Sequence, residues 1–223
     1  RNLEPENTLR SFRRALELGV DYIECDVHRT RDDHLVLIHD DALDRTTDGT
    51  GPVSDLTFPQ IRVLDAGKGE RVPTLQELLD LVGARVRLCV ELKDPTALDL
   101  VLALVADRGV ADQVFLTSSD TALLQRLHAR EPHIRLEHIY DQPPPDAVER
   151  AVSAGASRVS CHFTQLTQAF VDECHARGIE VIGWPPNTRQ EQVLTAGYGV
   201  DLICSDRPDI LVATLFELGL RTV

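Results

Sequence analysis

The sequence predicts an α/β fold of the (β/α)8 TIM-type barrel class, and three observations predict it. Strand-like apolar runs begin near Asp21, Val86, Val114, Arg135, Arg158, Glu180 and Asp201. Stretches with helix start and stop signals lie between them. From Val86 onward each strand follows the last after roughly 20–28 residues, the span of one βα unit, which means a parallel sheet covered by helices. Seven strand-then-helix positions are present where a closed barrel has eight, and the chain opens on a helix. The expectation is that the first strand is missing from the chain as given.

Each element has its own justification. Residues 7–18 read as a helix that Asn7 caps, that carries an apolar stripe of Leu9, Phe12 and Leu16, and that Gly19 ends. Asp21 to Val27 alternates as a strand does. A second short run, Leu35 to Ile38, precedes a Gly-, Asp- and Thr-rich stretch from Asp40 to Pro73. That is too long for an ordinary βα connection and reads as a functional loop insertion at about 40–73. Thr74 with Glu77 and Thr188 with Glu191 are capping boxes, in which each threonine accepts from the backbone three residues on while the glutamate reaches back. Asp120 and Thr167 read as simple N-caps. Gly83, Gly109, Gly155, Gly178, Gly197 and Gly219 are placed to close helices.

Composition narrows the function. The 223 residues are read as one domain, 1–223, and a chain 43% hydrophobic and 26% charged is not disordered. No apolar run approaches the ~18 residues of a membrane span. The net charge is −13 with no basic cluster, which speaks against a nucleic-acid partner. An anionic small molecule would have to be received by a cation or by a few local basic groups. There is no methionine, and a chain that opens on Arg1 is expected to lack its own start. Of the 23 basic residues only Lys68 and Lys93 are lysines. The five cysteines, with no CxxC pair, read as buried free thiols in a reducing compartment, hence a cytoplasmic location.

The chemistry lies in two strands. Residues two apart in a strand share a face, so Glu24 and Asp26 point together in Asp21–Val27. Glu91 and Lys93 point together in Val86–Lys93. All four lie toward C-terminal strand ends, where barrel active sites are built. Three carboxylates make a hard-oxygen site suited to Mg²⁺ or Ca²⁺. The plainer alternatives are strand-end salt bridges to arginine for Glu24 and Asp26, and simple neutralisation of Glu91 by Lys93. A compact ammonium at Lys93 suits a phosphate oxygen. His39 follows the short strand and is a candidate general acid or base. His162 and Trp184 also end strands, and Trp184 is an apolar wall or a core residue.

Pro5-Glu6-Asn7-Thr8, Glu24-x-Asp26, Thr30-x-Asp32, His39-Asp40, Arg45-Thr46-Thr47, Pro73-Thr74-Leu75, Glu91-Leu92-Lys93 and Ser205-Asp206-Arg207-Pro208-Asp209 occur in this order over nearly the whole chain. Together they resemble the glycerophosphodiester phosphodiesterases. The resemblance implies a (β/α)8 barrel that hydrolyses glycerophosphodiesters to glycerol 3-phosphate and an alcohol, in glycerol and lipid metabolism. It assigns Glu24, Asp26 and Glu91 to a divalent cation, His39 to catalysis and Lys93 to phosphate, with Trp184 against the substrate. It further implies attack by the glycerol 2-hydroxyl, then opening of a cyclic phosphate by water, with two histidines exchanging protons. The family's His-Arg-Gly motif is absent from the chain as given, and its Trp-Thr-Val-Asn stretch reads Trp184-Pro185-Pro186-Asn187. Two other functions remain open on the sequence: a lysophospholipase D-like phosphodiesterase, which an apolar mouth would favour, and a barrel that binds phosphodiesters or glycerol phosphate without turnover.

Overall fold

The computed structural model describes residues 3–221, which fall into two compact units divided between Phe115 and Leu116. In the first, helix α1 (Leu9–Glu17) leads into strand β1 (Tyr22–Arg29), which pairs antiparallel with the short β2 (Leu35–Leu37). Helices α2 (Phe58–Arg62) and α3 (Leu75–Val82) follow, then β3 (Arg87–Leu92), which lies parallel to β1, and α4 (Leu98–Arg108). Strand β4 (Val114–Ser118) crosses from one unit to the next along the chain.

The second unit continues the alternation with α5 (Thr121–Arg130), β5 (Arg135–Tyr140), α6 (Ala147–Ser153), β6 (Arg158–His162), α7 (Gln168–Ala176), β7 (Glu180–Trp184), α8 (Arg189–Gly197), β8 (Leu202–Ile203) and α9 (Pro208–Glu217). Strands β5 to β8 pair successively and in parallel. Strand and helix alternate as the sequence predicts, and the fold class is α/β of the TIM-type barrel kind.

Local chemistry sets most element boundaries. Both predicted capping boxes are present, as are the side-chain caps of Asp120 and Thr167. Two expectations need correction. Thr8, not Asn7, caps α1: its hydroxyl accepts from the Ser11 N–H while Ser11 reaches back to the Thr8 N–H. An N-cap has extended backbone, as Thr8 does, whereas Asn7 is left-handed at φ 51°. Gly197 is the last residue of α8, and the left-handed residue beyond it is Gly199, at φ 75°.

The stretch from 40 to 73 reads as polar, yet it builds a core of its own. Leu43, Val53, Ile61, Ala66 and Val72 are buried with Val36 and Ile38, and Leu56, Phe58 and Leu64 pack against them. Backbone bonds tie the stretch down at both ends: Ile38 N–H donates to the Asp26 carbonyl (3.0 Å), and Leu37 N–H to that of Pro73 (2.9 Å). His39, two residues beyond the end of β2 and next to Ile38, is therefore anchored close to the C-terminal half of β1.

Candidate active site

The register of β1 against β3 assembles the site. Glu24 is opposite Cys89 and Asp26 opposite Glu91. Directly paired residues share a face, so Glu24, Asp26, Glu91 and Lys93 all project from one side of the sheet. One carboxylate oxygen each from Glu24, Asp26 and Glu91 lie within 4.8 Å of one another. Oxygens bound to one Ca²⁺ at ~2.3–2.6 Å are separated by at most about 5 Å, so this donor set fits a single hard divalent cation. Asp26 is the most enclosed of the three, 3% exposed. Asn7 holds it: its Nδ2 donates to Asp26 Oδ2 (2.8 Å), and its Oδ1 accepts from the Asp26 N–H (3.3 Å).

Lys93 stands among these acids, with Nζ 2.9 Å from Glu91 Oε1 and 3.4 Å from Asp26 Oδ1. Burial pushes the Glu91 carboxyl above its ordinary pKa, although Lys93 opposes that rise. For Lys93, burial works against the ammonium, but Glu91 and Asp26 outweigh it and the pKa rises. Lys93 is thus a cation held among carboxylates in this site.

His39 completes the cluster in the first unit. Lys93 Nζ lies 3.3 Å from its Nε2, and Asp40 Oδ1 lies 2.7 Å from its Nδ1. Arg45 grips Asp40 through Nε (2.6 Å to Oδ2) and a terminal nitrogen (2.9 Å to Oδ1), and the same nitrogen reaches Glu6 Oε1 at 2.6 Å. The hydrogen bonds of Arg45, and after them that of His39, hold the Asp40 carboxyl well below the usual range. His28, buried on β1, places Nε2 3.3 Å from the His39 carbonyl, and burial lowers its pKa.

Within the first unit the structure brings together five residues singled out from sequence: Glu24, Asp26, Glu91, Lys93 and His39. In sequence Asn7 reads as a cap and a motif letter, and Asp40, Arg45 and Glu6 read as motif letters alone. In the second unit Trp184 is directly paired with His162, their rings edge to face at 5.4 Å. Trp184 Nε1 is buried without a hydrogen-bond partner. Burial pushes the Cys161 and Cys174 thiols up to about 12, which disfavours the nucleophilic thiolate.

The model of the Glycerophosphoryl diester phosphodiesterase family matches residues 2–210. A glycerophosphodiester phosphodiesterase of Caldanaerobacter subterraneus subsp. tengcongensis is 31% identical over 221 residues, covering 93% of this chain and 91% of that protein. Among solved structures, the glycerophosphodiester phosphodiesterase from Agrobacterium tumefaciens str. C58 aligns at a TM-score of 0.82 with 31% identity over 95% of each chain. The phosphodiesterase of Oleispira antarctica, solved in complex with the product sn-glycerol-3-phosphate, has the same fold at a TM-score of 0.91, with 24% identity over 96% of this chain and 93% of that one. No helix among the described residues is long and apolar enough to cross a membrane.

Proposed function

The chain belongs to the glycerophosphoryl diester phosphodiesterase family and is a phosphoric diester hydrolase; on that premise we propose that it cleaves small glycerophosphodiesters to glycerol 3-phosphate and an alcohol, with Mg²⁺ or Ca²⁺ held by Glu24, Asp26 and Glu91. The observation that carries the proposal is the convergence of these three carboxylates with Lys93 and His39. A divalent cation in that carboxylate set supplies charge neutralisation and alignment for a phosphodiester.

The remaining chemistry belongs to the side chains. Three carboxylates would leave about one negative charge beside a divalent ion, and Lys93 offsets it while offering Nζ to a phosphoryl oxygen. Asn7 keeps one Asp26 oxygen engaged and the carboxylate plane fixed. Hydrolysis adds the elements of water across a P–O bond, so the departing alkoxide must gain a proton and the attacking hydroxyl must lose one. His39 Nε2 is the atom assigned to that exchange, because Nδ1 is committed to Asp40. Trp184 is assigned to the substrate. The compartment assigned is the cytoplasm, on four buried free cysteines.

Turnover of glycerophosphocholine, followed as release of glycerol 3-phosphate, tests the reading. Activity is expected to vanish on exhaustive chelation and to return with Mg²⁺, Mn²⁺ or Ca²⁺. Full activity after chelation would remove the metal assignment. Failure to release glycerol 3-phosphate from any glycerophosphodiester with metal present would remove the substrate assignment.

A further inference from the structure

His39 is gripped at both ring nitrogens. Asp40 Oδ1 is 2.7 Å from Nδ1, and Lys93 Nζ is 3.3 Å from Nε2. A carboxylate only accepts hydrogen bonds and an ammonium only donates them. One neutral tautomer satisfies both contacts, with the proton on Nδ1 and the lone pair on Nε2. Asp40 is fixed in turn. Arg45 addresses both of its oxygens with two guanidinium nitrogens, a planar match that sets the carboxylate's orientation as well as its charge. Glu6, from the segment before α1, accepts from Arg45 across 39 positions of sequence.

We propose that Asp40 and Arg45 are positioning residues for the hydrolysis: Arg45 locks the Asp40 carboxylate, and Asp40 sets the tautomer and ring plane of His39 so that Nε2 is the nitrogen that exchanges the proton. The inference rests on His39 having the catalytic role proposed above. It assigns Arg45 to Asp40 rather than to the phosphodiester. Two of the Arg45 nitrogens are committed to carboxylates at 2.6–2.9 Å. The low pKa of Asp40 keeps it an acceptor at neutral pH, as orienting a protonated Nδ1 requires. Asp40 and His39 are adjacent in sequence, and the two bonds from Arg45 hold the Asp40 carboxylate in the orientation that meets Nδ1.

The test is a double-mutant cycle in the full chain, with glycerophosphocholine as substrate and metal saturating. Asp40→Asn and Arg45→Lys are each made alone and in a His39→Ala background. Asp40→Asn, which keeps shape but offers Nδ1 an ambiguous partner, is expected to lower kcat about 10²-fold, bounded by the ~10²–10⁴ a general acid or base contributes. Arg45→Lys, which keeps the charge but loses the fork, is expected to lower kcat by a smaller factor, with KM within about threefold of the parent. In the His39→Ala background neither substitution should slow the enzyme further, because residues that act through one group are not additive. The ¹⁵N shifts of the His39 imidazole should report the Nδ1–H tautomer in the parent and lose it in Asp40→Asn.

A further loss from either substitution when His39 is already alanine would show action on the substrate itself and overturn the proposal. So would a fall in kcat accompanied by a lower melting temperature and an unchanged tautomer. Parent rates for both Asp40→Asn and Arg45→Lys, with His39→Ala slow, would sink the positioning role and leave the role of His39 standing. A His39→Ala enzyme at the parent rate would sink both. Should Asp40→Asn not fold, Arg45→Lys carries the cycle alone.

Discussion

Asn7 and Asp26 bond to each other twice, side chain to side chain at 2.8 Å and side chain to backbone at 3.3 Å. The pairing needs Asn7 at φ 51°, a left-handed conformation that asparagine tolerates better than most residues. The segment that starts α1 is thereby fastened to the most buried carboxylate of the site. Asn7→Gly keeps the backbone option and removes the amide, so it isolates the two bonds. It is expected to weaken Mg²⁺ or Ca²⁺ binding, measured by titration calorimetry, by about 10–100-fold, the usual cost of losing a partner that orients a ligand. Asn7→Ala adds backbone strain of about 1 kcal/mol or more, and should lower the melting temperature further than Asn7→Gly does. Unchanged metal affinity in both variants would reduce the pair to a structural tie.

Glu24→Gln and Glu91→Gln each preserve shape while removing charge from a crowded acidic site. Both should lose metal affinity and activity with the fold retained. The metal-free protein should gain stability if anything, since like charges are relieved. A change in metal affinity of less than about threefold would remove that residue from the ligand set, because losses of ~10–100-fold already follow from altering a ligand's supporting partner.

Glu77 offers a test of stability against pH away from the site. Its carboxylate accepts from the Thr74 N–H (2.9 Å) and receives two nitrogens of Arg62, at 2.8 and 2.5 Å. Burial works to raise its pKa, but Arg62 and the Thr74 N–H outweigh it and the pKa falls. A carboxyl whose folded pKa is depressed adds stability in full above its unfolded value of ~4.3, and loses it as pH falls through the folded value. Glu77→Gln should therefore cost about 0.5–1 kcal/mol at pH 7, discounted for solvent screening. The gap between parent and variant melting temperatures should close toward pH 3, and a gap independent of pH would show that packing rather than charge holds the cap.

What was readable from sequence follows from the range of each interaction. Glu24 with Asp26 and Glu91 with Lys93 share faces by the two-residue repeat of a strand, which any sequence displays. That Asp26 lies opposite Glu91 is a matter of register between strands about 65 residues apart, and no local pattern encodes it. The caps at Thr74, Asp120, Thr167 and Thr188 were legible because a cap is decided within four residues. Asn7 was misread for the same reason: beside a helix start it looks like a cap, and only contact with Asp26, 19 positions away, reveals its role. The small core under residues 40–73 escaped because Leu43, Val53, Ile61, Ala66 and Val72 follow no helical or strand period. The Glu6–Arg45–Asp40 chain joins a helix leader to a loop, a link that exists only in the folded protein.

The direction of proton transfer at His39 is open to a kinetic test that binding cannot mimic. With Nδ1 committed to Asp40, Nε2 either delivers a proton to the departing alkoxide or takes one from the attacking hydroxyl. If it delivers, His39→Ala should slow glycerophosphocholine by ~10²–10⁴, the worth of a general acid, since choline is a poor leaving group. A nitrophenyl ester of glycerol phosphate leaves without a proton and should be spared. If it takes, the two substrates should slow alike, because the attacking hydroxyl is the same in both. Metal affinity should hold in either case, His39 standing outside the three carboxylates. The contact with Lys93 favours the second outcome: an ammonium 3.3 Å from Nε2 points a donor at it, which leaves Nε2 a lone pair rather than a proton in the resting site. Selective slowing of glycerophosphocholine would show that the contact with Lys93 breaks before the proton moves. Parent rates on both substrates would make His39 a bystander on the rim.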